Sequence, residues 1–177
     1  MILLMGVAGT GKSTQGRLLA DQKGYAYLSS GDILRVLVTG TRRQEMLEGK
    51  LLSDQEMIRI FDKVLDLINP ADEFVLDGFP RTPTQVNWLL EQEEKDRFSR
   101  IIVFHLNAPE AIVHDRLRLR GRLDDSEEAI AKRFDEYHKL TRPIIEKLKQ
   151  HGAEVHEIDA SQDPETIHNL IMREVNG

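Results

Sequence analysis

Gly6-Val7-Ala8-Gly9-Thr10-Gly11-Lys12-Ser13 decides the fold, because it fits the phosphate-binding pattern G-x-x-x-x-G-K-[ST] at every required position. The apolar run Met1–Met5 before it predicts a buried strand, and Gln15–Lys23 after it predicts a helix that ends at Gly24. In such a unit, inward-facing backbone N–H groups and the helix N-terminus attract anionic oxygens. The pattern therefore predicts a site for a nucleoside triphosphate with Mg²⁺. The agreement of both flanks argues against a chance glycine-rich turn.

Composition narrows the classes of protein that fit. A length of 177 residues suits one domain, and no apolar run reaches membrane-spanning length, so no membrane partner is expected. The absence of cysteine excludes disulfides, thiol catalysis and cysteine-ligated zinc, and it favours the reducing cytoplasm. A strand predicted from the first residues leaves no room for a leader peptide. The net charge of −6 argues against nucleic acid as a partner.

Apolar segments alternate between strand-like and helix-like patterns along the chain. The predicted strands are Ile2–Met5, Tyr25–Leu28, Glu73–Leu76, Ile101–Leu106 and Glu154–Ile158. The predicted helices are Gln15–Lys23, Ile33–Val38, Asp54–Ile68, Thr84–Asp96, Pro109–Leu119, Ser126–Gln150 and Pro164–Val175. This order predicts an α/β protein with a five-stranded parallel sheet covered on both faces by helices. Ligands of such sheets bind beyond the carboxyl ends of the strands.

Local signals refine two of these helices. Ser53 followed by Glu56 predicts a capping box at the start of the helix Asp54–Ile68. Pro143 predicts a kink or a division in the long helix Ser126–Gln150. The alternation is interrupted by the helical stretch Ser30–Ile68 and by a polar, arginine-rich stretch before the long helix. Both interruptions are candidates for segments that move during site closure.

Asp77 follows the apolar run Phe74-Val75-Leu76 directly. A carboxylate at the carboxyl end of a strand is typical of the second magnesium-side group in phosphate-loop proteins. The alternative is an ordinary helix N-cap or turn residue. Arg81 comes just after Pro80 and is expected near the same sheet edge; taken alone, it fits a solvated surface arginine equally well.

A cluster of arginines stands out against the acidic composition. Arg116, Arg118, Arg120, Arg122 and Arg133 are five arginines within eighteen residues of a protein with net charge −6. Guanidinium groups bind phosphate oxygens bidentately, and phosphoryl transfer needs positive charge and exclusion of water. The alternative is a surface helix with salt bridges to nearby carboxylates, and Arg118 is the member best suited to that ordinary role.

Taken together, these motifs resemble the adenylate kinases of the nucleoside monophosphate kinase family over nearly the whole chain. Thr14-Gln15 follows the phosphate loop as in that family. The other similar segments are Leu28-Ser29-Ser30-Gly31-Asp32-Ile33-Leu34-Arg35, Gly49-Lys50-Leu51-Leu52-Ser53-Asp54, Asp77-Gly78-Phe79-Pro80-Arg81-Thr82 with Gln85, and Arg120-Gly121-Arg122-Leu123-Asp124-Asp125 with Arg133 downstream. Several motifs in the right order carry more weight than any one of them.

The resemblance implies a role for each matching position. The residues expected to bind ATP are Gly9, Thr10, Gly11, Lys12, Ser13, Thr14 and Arg116, the last against the adenine ring. The residues expected to bind AMP are Ser30, Arg35, Leu52, Gly78, Arg81 and Gln85. Mg²⁺ is expected near Ser13 or Thr14 and, through water, Asp77. The expected catalytic residues are Lys12, Arg81, Arg120, Arg122 and Arg133.

The family also implies a division of the single kinase domain. The core would comprise residues 1–29, 69–118 and 127–177, with a monophosphate-binding insert over 30–68 and a short lid over 119–126. Lid and insert are both shorter than usual in the family: one glycine separates Arg120 from Arg122. The zinc-holding long lid is absent, so no zinc is expected, and the family suggests a monomer.

These features lead to one main interpretation with two alternatives. The main one is reversible transfer of the terminal phosphoryl group from Mg·ATP to AMP, which gives two ADP. A kinase for UMP or CMP is the first alternative, because base selection depends on few contacts. A nucleotide-binding module without catalysis is the second, since the lid and insert are short. Measuring activity with several monophosphates separates an AMP kinase from a UMP or CMP kinase. An assay of ADP production separates an enzyme from a nucleotide-binding module without catalysis.

Overall fold

A five-stranded parallel sheet organises the computed structural model, which describes residues 1–41, 52–69, 73–121 and 126–176. The strand order is β2-β3-β1-β4-β5, with every neighbouring pair parallel. The strands are β1 (Ile2–Met5), β2 (Ala26–Ser29), β3 (Phe74–Asp77), β4 (Ile102–Asn107) and β5 (Glu154–Asp159). The sheet confirms the predicted fold class, and Leu4 pairs in register with both Asp77 and Phe104.

Helices connect the strands and cover both faces of the sheet. The α-helices of the described residues are α1 (Lys12–Lys23), α2 (Ser30–Leu37), α3 (Asp54–Leu65), α4 (Pro83–Glu94), α5 (Glu110–Arg120), α6 (Glu127–Glu136), α7 (Arg142–Gln150) and α8 (Pro164–Asn176). None of the helices within these ranges has the length and apolar character needed to cross a membrane.

Side chains of β1 alternate between the two faces, so that each face has its own core. Leu3 and Met5 pack in the core that α3, α4 and α7 share, whereas Ile2 and Leu4 pack in the core under α1 and α8. A third, smaller group joins the phosphate loop to α5 and α6. We call it the satellite cluster, and its buried members are Val7, Val113, Leu117, Ile130 and Tyr137.

Helix ends follow the local chemistry of the sequence. The predicted capping box is confirmed: Ser53 accepts from the backbone N–H of Glu56, whose side chain accepts from the backbone N–H of Ser53. Gly24 ends α1 at φ 70°, as predicted. The predicted helix over 126–150 is divided, since Tyr137–Thr141 forms a π-helical turn between α6 and α7. Pro143 lies in the first turn of α7, directly after this π-helical turn.

Four of the five predicted strands differ from the observed ones by one residue at one or both ends. β2 begins at Ala26 rather than at Tyr25, and β3 ends at Asp77 rather than just before it. The extra residue in β3 comes from pairing, because Asp77 lies opposite both Leu4 and Ser29. The carboxylate is thus fixed by the sheet itself and does not belong to a turn.

Candidate active site

A cleft of about 1330 Å³ opens at the carboxyl ends of β1 and β3. All the predicted site residues that fall within the described ranges line this one cleft. They are Gly9, Thr10, Gly11, Lys12, Ser13, Thr14, Ser30, Arg35, Leu52, Asp77, Gly78, Arg81, Gln85, Arg116, Arg120 and Arg133. Arg122 and the rest of the segment 122–125, half of the predicted lid over 119–126, lie outside the described residues. The volume exceeds the range of about 300–1,000 Å³ that is usual for single small-molecule pockets.

The phosphate loop lies close against the satellite cluster. Gly9 has φ 92°, and a Cβ atom there would lie 2.8 Å from Leu117 Cγ and 3.0 Å from Val113 Cγ1. No side chain fits at this position, so glycine lets the loop pack against α5. α1 begins directly after Gly11, with no acidic side chain in its first turn. Its N-terminal N–H groups therefore remain suited to an anion.

Lys12 points into the phosphate loop, and its pKa is lowered there. Its Nζ donates to the backbone oxygen of Val7 at 2.8 Å. Burial lowers the pKa of Lys12 from 10.5 to about 8. Asp77 opposes this shift, whereas Arg81, Arg120 and Arg133 reinforce it. The site thus concentrates positive charge that a bound polyanion would neutralise.

Asp77 is the carboxylate at the base of the cleft. It is buried, and its Oδ2 accepts hydrogen bonds from the hydroxyls of Ser13 at 2.6 Å and Tyr27 at 2.8 Å. Burial and the negative charge of Asp77 raise the pKa of Tyr27 to about 12, so the phenol keeps its proton. No sequence pattern pointed to Tyr27, whose hydroxyl reaches Asp77 because β2 and β3 are neighbours.

The loop after β3 positions Arg81. Its Nε donates to the backbone oxygen of Gly78 at 2.7 Å, and that oxygen also accepts from Ser30 Oγ at 2.9 Å. Gly78 has φ 81°, and a Cβ atom there would lie 2.4 Å from Ser30 Oγ. Burial lowers the pKa of Arg81, and Arg133 reinforces the shift. The peptide bond between Phe79 and Pro80 is cis.

Gln85 lines the same cleft, four residues after Arg81. The side chain is buried, and both ends of its carboxamide have partners. Its Oε1 accepts from the backbone N–H of Arg81 at 2.8 Å, and its Nε2 donates to Asp54 Oδ1 at 2.8 Å. Asp54, the first residue of α3, also lines the cleft, and sequence reasoning did not single it out.

Arg35 lies on α2 and lines the same cleft. Its Nη1 pairs with Asp32 at 2.5 Å, and Asp32 also pairs with Arg17 at 2.5 Å. The Arg35 side chain is about half exposed. A guanidinium held by one exposed ion pair can exchange that partner for a phosphate at small cost.

Arg116 has a different environment. Its guanidinium donates to the backbone oxygens of Ala160, Ser161 and Gln162 at 2.6, 3.3 and 3.0 Å. These contacts hold the loop after β5 against α5, where Gln162 and Pro164 line the cleft. The planar group is therefore fixed by its edge, which leaves the guanidinium face as the surface that could stack on a base.

The remaining described arginines of the cluster fall into two groups, those that line the cleft and one on the surface. Arg120 and Arg133 line the cleft, and the positive charge of each contributes to the lowered pKa of Lys12. Arg118 is exposed and lies 3.9 Å from Glu127, which agrees with the ordinary surface role predicted for it. Within the described ranges, no group of three or more His, Cys, Asp or Glu side chains is arranged to hold a metal ion.

The parallel sheet, the phosphate loop after its central strand and a large cation-lined cleft define a phosphate-loop nucleotide phosphotransferase. Comparison with known proteins narrows this class. The family model for adenylate kinase matches residues 4–153. The chain belongs to the adenylate kinase family.

Several adenylate kinases resemble the chain over nearly its whole length. That of Prochlorococcus marinus (strain MIT 9301) is 34% identical over 98% of this chain and 97% of the relative. The adenylate kinase of Trichodesmium erythraeum (strain IMS101) is 34% identical over 99% of this chain and 97% of the relative. The adenylate kinase of Prochlorococcus marinus subsp. pastoris is 38% identical over 94% of this chain and 92% of the relative. The chain and these relatives therefore match over nearly their whole lengths.

Proposed function

We propose that the protein transfers the terminal phosphoryl group reversibly from Mg·ATP to AMP, which gives two ADP. The observation that carries this proposal is the convergence of Lys12, Arg81, Arg120 and Arg133 on one cleft. Phosphoryl transfer spreads negative charge over the moving group, so the protein contributes mainly position and positive charge. A single cleft with room for two nucleotides suits that reaction.

ATP binds at the end formed by the phosphate loop. The backbone N–H groups of residues 9–14 and the N-terminus of α1 hold the phosphates, and Lys12 adds a full charge. The adenine of ATP lies near Arg116, whose guanidinium is held flat by the loop of residues 160–162. Stacking on that face is worth about 0.5–2 kcal/mol.

Ser13 and Asp77 offer the oxygen ligands that Mg²⁺ prefers. Their side chains meet at 2.6 Å in the cleft, and Ser13 is exposed. Mg²⁺ usually keeps several waters and takes one or two carboxylates together with substrate phosphates, which this pair allows. When bound, the metal would neutralise charge on the phosphates. Thr14 adds a further hydroxyl at the same helix start.

AMP binds at the other end, under α2 and α3. Arg35 and Arg81 hold its phosphate, and Gln85 and Leu52 contact its base. Arg81 then lies between the two phosphates, with its Nε fixed on Gly78 O at 2.7 Å. The attacking atom is a phosphate oxygen, which is already a sufficient nucleophile, so no side chain needs to take a proton. Arg120, Arg122 and Arg133 complete the charge around the moving group.

The finer assignments follow from the same proposal. The partners are ATP, AMP and ADP, and the protein acts as a monomer in the cytoplasm without nucleic acid or membrane. Gel filtration with light scattering at micromolar concentration tests the monomer. A mass of about 20 kDa, with or without nucleotide, is the expected result.

A coupled assay of ADP production tests the reaction itself. We expect turnover with ATP, AMP and Mg²⁺ together, and none when AMP is left out or Mg²⁺ is chelated. UMP and CMP are compared with AMP at equal concentration. Faster turnover of UMP or CMP would contradict the assignment of AMP, and no ADP with any monophosphate would favour the non-catalytic module.

A further inference from the structure

The carboxamide of Gln85 is held in one orientation by two partners of fixed polarity. The backbone N–H of Arg81 can only donate, so the atom facing it at 2.8 Å is Oε1. The carboxylate of Asp54 accepts, so the atom facing it at 2.8 Å is Nε2. Gln85 is almost fully buried, so water does not compete strongly for these bonds. One N–H of Nε2 is left over for a ligand.

Asp54 itself is placed to take part in recognition. It begins α3, directly after Leu52 and the capping residue Ser53, and it lines the cleft beside Met57. Phe61 on the same helix stacks on Phe79 at 4.1 Å, which ties α3 to the loop that carries Arg81. The carboxylate and the free N–H of Gln85 thus form an acceptor next to a donor on a fixed support.

We propose that Asp54 is a base-selecting residue of the monophosphate pocket. It accepts a hydrogen bond from the 6-amino group of the purine while it keeps the Gln85 N–H directed at N1. This inference rests on the proposed function, because it concerns the base of the nucleotide that accepts the phosphoryl group.

The chemistry of the bases gives this pair a selective effect. Adenine presents an acceptor, N1, next to an amino donor, so it complements the pair. Hypoxanthine, guanine and uracil present the reverse order, an N–H next to an oxo oxygen, and that oxygen would face the carboxylate. Cytosine has the same order as adenine, and therefore only the size of the pocket excludes it. Asp54 thus disfavours UMP but not CMP.

A purely structural role for Asp54 is the competing explanation. An acidic residue in the first turn of a helix stabilises it through the helix dipole. Glu56 lies in the same turn and does not line the cleft. Glu56→Gln is therefore a matched control, because it removes the same charge from the same turn and glutamine still completes a capping box.

The test compares three purine monophosphates that differ at the 6-position, and of these only IMP also carries a proton on N1. AMP carries an amino group, IMP an oxo group, and purine riboside monophosphate a hydrogen. In the wild type we expect kcat/KM in the order AMP, purine riboside monophosphate, IMP. Asp54→Asn should lower kcat/KM for AMP by about 10- to 100-fold, the effect of losing a hydrogen bond to a charged group. The ratio of AMP to IMP should fall by at least about tenfold.

The controls separate selection from stability. Glu56→Gln should keep the AMP to IMP ratio of the wild type, even if its melting temperature falls as much as that of Asp54→Asn. Asp54→Ser, which keeps a good residue at the helix start, should reproduce the change in ratio. An unchanged ratio in both Asp54 variants would overturn the inference. Failure of the wild type to use AMP at all would instead refute the proposed function.

Discussion

Two pairs of cations reach the cleft from different supports. In the sheet-side pair, Lys12 and Arg81, each side chain donates to a backbone oxygen of its own loop, at 2.8 and 2.7 Å. In the helix-side pair, Arg120 ends α5 and Arg133 lies on α6. The sheet-side loops continue directly from β1 and β3, whereas the two helices join the loop through the small satellite cluster.

This difference suggests separate contributions to one reaction. Charges fixed by backbone oxygens need little rearrangement when the transition state forms, which is the condition for strong electrostatic catalysis. Charges on helices that pack through a small cluster depend on how those helices are placed. The π-helical turn links the two supports, since Thr141 Oγ1 donates to the backbone oxygen of Arg81 at 3.2 Å. Substitutions can therefore show how far the pairs differ.

Lys12→Met should have the largest effect. Loss of the charge within the phosphate loop removes stabilisation of the moving group, and we expect kcat/KM to fall by about 10³-fold. The exposed Lys139, paired with Asp135 at 2.7 Å outside the cleft, supplies the control variant Lys139→Met. Turnover of Lys12→Met within about tenfold of the wild type would exclude the loop as the active site.

Arg81→Ala and Arg133→Ala compare the two supports directly. We expect each to lower kcat by about 10²-fold, because each removes one guanidinium from the moving group. Circular dichroism should show an intact fold for Arg81→Ala, since the backbone N–H that bonds to Gln85 stays in place. Near wild-type kcat in Arg81→Ala would remove the sheet-side arginine from the site.

The charge of Lys12 predicts a dependence on pH. Its pKa of about 8 means that the ligand-free protein loses this charge as the pH rises. We expect the Kd for Mg·ATP to increase about tenfold for each pH unit above that value. Lys12→Arg keeps its charge and should give a flat profile over the same range. A flat profile in the wild type would contradict the prediction.

The lowered pKa of Lys12 also affects stability. Nucleotide binding should weaken as the pH rises, whereas the folded state should become more stable. Between pH 8 and 10.5 the unfolded chain holds a proton on Lys12 that the folded chain has lost. The free energy of unfolding should therefore rise with pH through this window. Denaturant titrations of the wild type and Lys12→Met at several pH values measure the difference, which should disappear in the variant.

Arg116→Ala should have a smaller effect on catalysis. It removes donors from three backbone oxygens and a stacking surface for a base, and we expect KM for ATP to rise about tenfold with little change in KM for AMP. Initial rates with each substrate varied in turn give both constants. An equal rise in both would indicate a general loss of structure.

Tyr137→Phe tests the helix-side support and should have the smallest effect. The Tyr137 hydroxyl hydrogen-bonds to Nε2 of buried His105, whose Nδ1 lies 2.8 Å from Glu157. We expect a loss of about 1–2 kcal/mol in the free energy of unfolding, because His105 Nε2 would lack a partner. A fall in kcat of a few-fold would show that the position of α6 matters to the reaction.

Features set by local sequence patterns could be predicted from the sequence, whereas contacts between distant residues could not. Strand positions and the phosphate loop follow from apolar runs and one local pattern, so the sheet was predicted to within one residue at each end. The π-helical turn was missed because helical spacing continues through residues 137–141, and its buried anchor is a distant residue, His105. Asp54 and Tyr27 were missed for the same reason, since their partners Gln85 and Asp77 lie 31 and 50 residues away.

The strand order has an implication for how the chain is made. β1 lies between β3 and β4, and β4 begins only at Ile102, so β1 lacks one of its two neighbouring strands until synthesis has passed that residue. Contacts between residues so far apart form late in folding. A nascent chain on the ribosome would therefore hold a phosphate loop without a cleft around it. We expect nucleotide affinity to appear abruptly with chain length, after β4 and α6 have emerged.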